Sequence, residues 1–173
     1  YFKKKSKKMF LVEKDFKLKN ELQKKYKKNT KIEIIGDDIL KTNFNKFKNL
    51  IVISNLPYNI SSKVILYLFN FNKNIDEMIF MIQKEMSIKF DYNLPKMNKY
   101  KFLTKVVANF TRCFDVSSKV FIPKPKVKST VVKFVFKKNN VDLKNAINFS
   151  KITLLNTGGN KNYSIIKLIL NTS

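Results

Sequence analysis

The sequence predicts an α/β fold built on a mostly parallel sheet. Three observations predict it. Short apolar runs alternate with segments whose apolar residues recur every three to four positions, the pattern of strands alternating with helices. One run, Leu50 to Ser54, is apolar at successive positions, as a strand covered on both faces would be. Two late runs have no helical pattern between them, which implies an antiparallel hairpin at the sheet edge.

The elements follow in order. Met9-Phe10-Leu11-Val12 reads as a buried strand closed by Glu13. Phe16 to Lys28 is an amphipathic helix with Leu18, Leu22 and Tyr26 on one face and lysines on the other. Lys31 to Ile35 is a second strand, ended by Gly36-Asp37-Asp38. Leu50 to Ser54 is the third and is expected at the sheet centre. A helix from about Ser61 to Phe69 groups Ile60, Val64, Ile65 and Leu68, with Ser61 or Ser62 as its cap. Met78 to Ile82 is the fourth strand and runs into Gln83-Lys84-Glu85. Lys96 to Lys99 falls in a proline-containing loop, and Phe102, Leu103, Val106, Val107 and Phe110 form another helical face. Val120-Phe121-Ile122 and Thr130 to Phe136 read as the two late strands, parted by Pro123-Lys124-Pro125-Lys126. Asn139-Asn140 reads as a linker, and Phe149 to Leu155 and Ile165 to Leu170 as short helices.

The chain has 173 residues, the length of one domain, and its 44% hydrophobic content is enough for a core. It has no histidine and a single cysteine, Cys113. That excludes a His/Cys metal cluster, a Ser–His or Cys–His nucleophile pair and an intramolecular disulfide; no metal is expected. The net charge of +24 points to a polyanionic partner, nucleic acid first and an anionic membrane surface second. The bases are nearly all lysine, however, with Arg112 the only arginine, and phosphate readers favour arginine's planar fork. Compositional drift toward Lys and Asn accounts for part of the charge. No apolar stretch reaches the roughly 18 residues of a membrane helix, and Lys7 and Lys8 interrupt any signal-peptide core. The sequence does not begin with Met, so its numbering is expected to start inside a longer product.

Chemistry concentrates at Asn55-Leu56-Pro57-Tyr58, which leaves a strand and enters a helix. Ligands of open α/β sheets bind beyond the carboxyl ends of the strands. These residue types suit methyl transfer to the exocyclic amine of adenine, a poor nucleophile whose lone pair is delocalised into the ring. The Asn55 side-chain oxygen and a backbone carbonyl around Leu56-Pro57 would accept its two N–H bonds and stabilise the growing positive charge. Pro57 fixes the turn, and Tyr58 offers a flat face to an extruded base. The methylated amine is acidic enough to lose its proton to water, so the lack of histidine is no obstacle.

Several strings in order resemble the ribosomal RNA adenine N6,N6-dimethyltransferases, relatives of the erythromycin-resistance methyltransferases and mitochondrial transcription factor B. Ser54-Asn55-Leu56-Pro57-Tyr58-Asn59-Ile60-Ser61 resembles that family's catalytic motif. Met81-Ile82-Gln83-Lys84-Glu85 resembles the strand that follows it. Val120-Phe121-Ile122-Pro123-Lys124-Pro125-Lys126-Val127-Lys128-Ser129 resembles its Phe-x-Pro-x-Pro-Lys-Val-x-Ser signature. Val12-Glu13-Lys14-Asp15 and Gly36-Asp37-Asp38-Ile39-Leu40 resemble its two cofactor strands. The resemblance implies a class I S-adenosylmethionine-dependent methyltransferase (Rossmann-like) fold and S-adenosyl-L-methionine as cofactor. It implies that Glu13 binds the cofactor ribose, that Asp38 (with Asp37 as competitor) accepts from its adenine, and that Asn55 serves both cofactor and catalysis. Pro57 and Tyr58 would hold the target base, Phe121 would stack on it, and Lys124, Lys126 and Lys128 would meet RNA phosphates. Gln83 and Glu85 would lie near the active-site wall without an assigned role.

The family's first strand and Gly-x-Gly-x-Gly loop, expected about 20 residues before the acidic strand end, are not in this sequence. Either the chain is an N-terminally incomplete stretch of an enzyme, or it is a degenerate relative that binds RNA or the ribosome without catalysis. Residues 1–138 are expected to form the methyltransferase domain without its cofactor loop, and 139–173 a short tail, a remnant of a small helical domain. A DNA N6-adenine methyltransferase uses a similar turn, but the Phe-Ile-Pro-Lys-Pro-Lys-Val string argues against it. The expected partner is ribosomal RNA of the small subunit. The expected protein is a monomer that does not bind membranes and works with ribosomes in the cytoplasm or an organelle matrix.

Overall fold

The computed structural model describes residues 8–122, 125, 127–138, 143, 145–148 and 150. Asn139-Asn140, Ile165–Leu170 and most of 149–155 lie outside the described residues. The chain divides into two compact units, Tyr1–Phe44 and Asn45–Ser173.

In the first unit, β1 (Met9–Val12) pairs in parallel with β2 (Ile32–Ile35), in register Met9 to Ile32 through Val12 to Ile35. Between them runs α1 (Phe16–Tyr26), begun by the Asp15 carboxylate, which accepts from the Leu18 N–H. This is the strand–helix–strand unit predicted from the apolar spacing. The apolar stripe of α1 is less covered than its periodicity suggests: no residue of the helix is buried, and Leu18 is 49% exposed.

The second unit holds a four-stranded sheet of order β3-β4-β6-β5. Its strands are β3 (Leu50–Asn55), β4 (Ile75–Gln83), β5 (Ala108–Val116) and β6 (Ser129–Phe136). Its helices are α2 (Ser61–Phe69), α3 (Lys84–Phe90) and α4 (Lys99–Val107). β3 and β4 are parallel, while β6 is antiparallel to both β4 and β5. The core is aromatic: Phe134 of β6 meets Phe69, Phe80, Phe90 and Phe110 at ring separations of 4.9–6.5 Å. Phe69 comes from α2 and Phe90 from α3, so these helices pack on the sheet face that carries Phe134.

Four expectations need correction. The third strand is not central among the described strands: β3 pairs there with β4 alone, and Ile51 is 59% and Ile53 45% exposed. An apolar run has the same composition at an edge as at a centre; only its neighbours decide. Val120-Phe121-Ile122 is not a strand: Val120 ends a 3₁₀ turn at Ser118–Val120, and Ile122 is fully exposed. The other late strand is β5, which pairs with β6 and begins where α4 ends, so Phe110 lies on a strand and not on the helical face. Neither Ser61 nor Ser62 caps α2; the N-cap is Ile60, without a side-chain bond. The short helix α3 was not expected at all.

A register shift between Arg112 and Phe114 leaves Cys113 as an extra residue in β5. Such a bulge resets the alternation of side chains. Arg112 opposes Val132, which is fully buried, whereas Phe114 opposes Val131 and is 61% exposed.

Candidate active site

The turn after β3 is fixed from three directions. Leu56 is buried, and its N–H donates to the Met81 carbonyl at 3.2 Å, extending the β3–β4 pairing by one residue. The Ile60 N–H donates to the Pro57 carbonyl at 3.2 Å, and the Ser61 hydroxyl donates to the Tyr58 carbonyl at 3.2 Å. Ser61 therefore supports the turn instead of capping the helix.

This arrangement separates engaged acceptors from available ones. The Pro57 carbonyl is held by the turn. The Leu56 carbonyl accepts no hydrogen bond among the described residues. Asn55 ends β3 with an exposed side chain that likewise has no partner among them. The available acceptor pair is thus the Asn55 side-chain oxygen and the Leu56 carbonyl.

Asn55, Leu56, Pro57 and Tyr58 line an open cleft of about 310 Å³ together with Phe121, Ile122 and Pro125. That volume is within the ordinary range of ligand clefts, about 300–1,000 Å³. Tyr58 is half-buried, and its hydroxyl lies 2.9 Å from the Ser129 hydroxyl. Phe121 reaches the cleft from the 3₁₀ turn: the Ser117 hydroxyl accepts from the Lys119 N–H, and the Phe121 N–H donates to the Ser118 carbonyl. The structure therefore brings Phe121 to the same cleft as Asn55, Pro57 and Tyr58, which lie more than sixty residues earlier in the sequence.

Lys128 is exposed, and its carbonyl accepts from the Lys84 N–H at 2.9 Å. Lys124 and Lys126 lie outside the described residues. Gln83 ends β4 opposite Ser129, and Glu85 is exposed in the first turn of α3. Next to them is a charged cluster that sequence reading missed. The Asp115 carboxylate accepts from the Lys84 ammonium and from the Thr130 hydroxyl at 2.7 Å, with Arg112 at 3.9 Å. The Lys84 ammonium, and then the Thr130 hydroxyl, hold the Asp115 carboxyl below its ordinary range. No short-range pattern announces this cluster, because Lys84, Asp115 and Thr130 come from three different elements. The Arg112 Nε is buried without a partner among the described residues.

In the first unit, Glu13 and Asp38 follow the carboxyl ends of the paired strands β1 and β2. The Glu13 N–H donates to the Ile35 carbonyl at 3.0 Å. One Glu13 carboxylate oxygen accepts from the Asp15 N–H at 2.8 Å, and no bond to the other is formed among the described residues. Asp38 accepts from the Leu40 N–H at 3.0 Å and from the Lys14 ammonium at 3.1 Å. These contacts, the Leu40 N–H foremost, lower its pKa and keep it ionised. The competitor Asp37 accepts from the Asp38 N–H at 2.8 Å and faces the Thr42 hydroxyl at 3.4 Å. A larger depression, about 530 Å³, is lined by Lys25, Tyr26, Lys28, Asn29, Thr30 and Lys31. It lies by the start of β2, at the end of the strand opposite to Asp38, and no carboxylate lines it. Among the described residues no group of His, Cys, Asp or Glu could hold a metal ion.

The family model for ribosomal RNA adenine dimethylase matches residues 1–157. The ribosomal RNA small subunit methyltransferase A of Malacoplasma penetrans is 37% identical over 139 residues, 78% of this chain and 50% of that protein. The protein of the same name from Buchnera aphidicola subsp. Baizongia pistaciae is 36% identical over 157 residues, 86% of this chain and 59% of that one. The crystal structure of a dimethyladenosine transferase from Plasmodium falciparum superposes with a TM-score of 0.72 at 25% identity, covering 84% of this chain and 55% of that one. The chain spans about half to three-fifths of the length of these relatives. With a class I methyltransferase fold and a match over most of its length, this chain belongs to the ribosomal RNA adenine dimethylase family.

Proposed function

We propose that the full-length protein transfers methyl groups from S-adenosyl-L-methionine to N6 of two neighbouring adenines in small-subunit ribosomal RNA. The observation that carries this is the pair of unengaged acceptors, the Asn55 side chain and the Leu56 carbonyl, at a cleft walled by Tyr58 and Phe121.

The residues present fit the cofactor. Glu13 keeps a carboxylate oxygen for the ribose hydroxyls, and Asp38, held ionised by Leu40 and Lys14, would accept from the adenine amine. S-adenosylmethionine supplies an electrophilic methyl group when bound. The protein's part is to hold the target amine. Asn55 and the Leu56 carbonyl accept its two N–H bonds, which favours a more tetrahedral nitrogen and stabilises the charge that grows on it. They need not reorganise, because the Met81 and Ile60 backbone bonds fix the turn. Tyr58 and Phe121 offer aromatic surface to the extruded base. Lys124, Lys126 and Lys128 would carry the phosphates of the strand entering the cleft. Pro57 contributes a rigid φ instead of a contact.

The protein would act as a monomer wherever its ribosomes are, in the cytoplasm or an organelle matrix. No helix among the described residues is long and apolar enough to cross a membrane. The test is Asn55→Ala in the full-length protein, assayed on small ribosomal subunits whose adenines lack the methyl groups. Turnover should fall by about 10²–10³, the loss typical of removing one such acceptor or donor, while RNA affinity stays near normal. Undiminished methylation would remove the mechanism. Calorimetry with S-adenosylmethionine separates an enzyme from a non-catalytic RNA-binding relative, which would show no heat of binding.

A further inference from the structure

We propose that Ser129 is a positioning residue for Tyr58, fixing the axis of the ring that meets the target base. The inference rests on the function proposed above and goes beyond it, to a residue with no place in the chemistry itself.

Ser129 is fully buried, and its hydroxyl lies 2.9 Å from the Tyr58 hydroxyl, a bond in which either group can donate. It is the first residue of β6. The ladders pair it with Gln83 on one side and Val116 on the other. Its neighbours are pinned as well. The Lys128 carbonyl accepts from the Lys84 N–H, and the Thr130 hydroxyl donates to Asp115. A side chain on such a support is a fixed point. Tyr58, in contrast, stands in a turn, half-exposed at the cleft.

The ring is then held at both ends. The Ser61 hydroxyl binds the Tyr58 carbonyl, and Ser129 binds the phenol tip. Rotation about χ1 would break the second bond, so the ring axis cannot swing into or out of the cleft. Rotation about χ2 leaves the phenol oxygen in place and remains available for adjusting the ring face to the base. Without the bond, the ring could leave its place beside Asn55, and bound adenine would less often present N6 to the acceptors.

The experiment measures methylation by the full-length protein on unmethylated small ribosomal subunits, with Ser129→Ala, Tyr58→Phe, the double variant and Ser129→Thr. Each single variant should lower kcat about tenfold, the value of one orienting hydrogen bond, with RNA affinity unchanged. The double variant should also be about tenfold down, because both changes remove the same bond. Ser129→Thr keeps the hydroxyl and should restore turnover. Wild-type kcat in Ser129→Ala, or losses that multiply to about a hundredfold in the double variant, would overturn the proposal. Should Ser129→Ala not fold, Tyr58→Phe removes the bond from its half-exposed end, and unchanged kcat there overturns it equally. Asn55→Ala in the same assay separates the two readings: if it is inactive while Ser129→Ala is normal, only the positioning role fails.

Discussion

At the scale of single residues, function depends on which polar atoms are engaged. Asn55 lines the cleft with a polar side chain that has no partner among the described residues, while Pro57 and Tyr58 use their carbonyls to hold the turn. Glu13 shows the same division, with one oxygen on the Asp15 N–H and the other open. Glu13→Gln should weaken S-adenosylmethionine binding about tenfold or more, the worth of a hydrogen bond to a charged acceptor, in a calorimetric titration of the full-length protein. An unchanged Kd would place the ribose elsewhere. Asp115 is the residue with a pH signature. Lys84 and Thr130 favour its ionised form in the folded chain, so its native pKa lies below the ordinary 3.8. Its contribution to stability is complete above 3.8 and is lost as pH falls through the lowered native value. Asp115→Asn should therefore flatten the acid limb of Tm against pH while leaving its shape near neutrality. An identical acid limb would show that the cluster adds nothing to folding.

At the scale of elements, the sheet of the second unit is organised around β6, which pairs on both sides and carries the aromatic core. Phe134 touches rings from α2, β4, α3 and β5. Phe134→Ala should cost about 3–5 kcal/mol, as for other large buried aromatics, read from urea unfolding. A loss below about 1 kcal/mol would mean that the four rings close over the void. The same packing explains the position of the cleft. β4 gives Met81 to the Leu56 N–H and Gln83 to the ladder with Ser129, so both sides of the cleft are anchored on one strand, β4. Lys101, a buried residue of α4, donates to the Leu94 and Pro95 carbonyls and closes the loop that leads into the helix. Burial lowers its pKa.

At the scale of the whole molecule, the excess of lysine is the dominant property. With RNA as the proposed partner, a chain of net charge +24 should lose affinity steeply with salt, because binding releases condensed counterions. For single-stranded contacts, each phosphate neutralised contributes about 0.7 to the slope of log K against log salt. Neutralising Lys128 together with Lys124 and Lys126 should reduce that slope by about 2 and weaken binding to related and unrelated RNA alike. A slope that does not change would assign these lysines to solvent. The variants should keep their response to S-adenosylmethionine, since none lies near Glu13 or Asp38 in sequence.

The sequence by itself determined the family, the strand–helix–strand opening and the parallel pair β3–β4, because these depend on local periodicity and on strings whose spacing is kept. It also determined which residue types could meet at the cleft: Asn55, Pro57, Tyr58 and Phe121 were all legible from motifs. It misplaced the end of α4, since Val106, Val107 and Phe110 keep helical spacing across the boundary and no glycine or proline marks it. The alternation Ala108, Asn109, Phe110, Thr111, buried then exposed, was the available sign of β5. Only the tertiary structure decided that β3 pairs on one side alone among the described residues, that a bulge at Cys113 turns Phe114 outward, and that Ser129 reaches Tyr58. The physical reason is common to all three. Register, edge position and hydrogen bonds between distant elements are set by which surfaces meet, and a one-residue change of register exchanges every side chain between the two faces of a sheet.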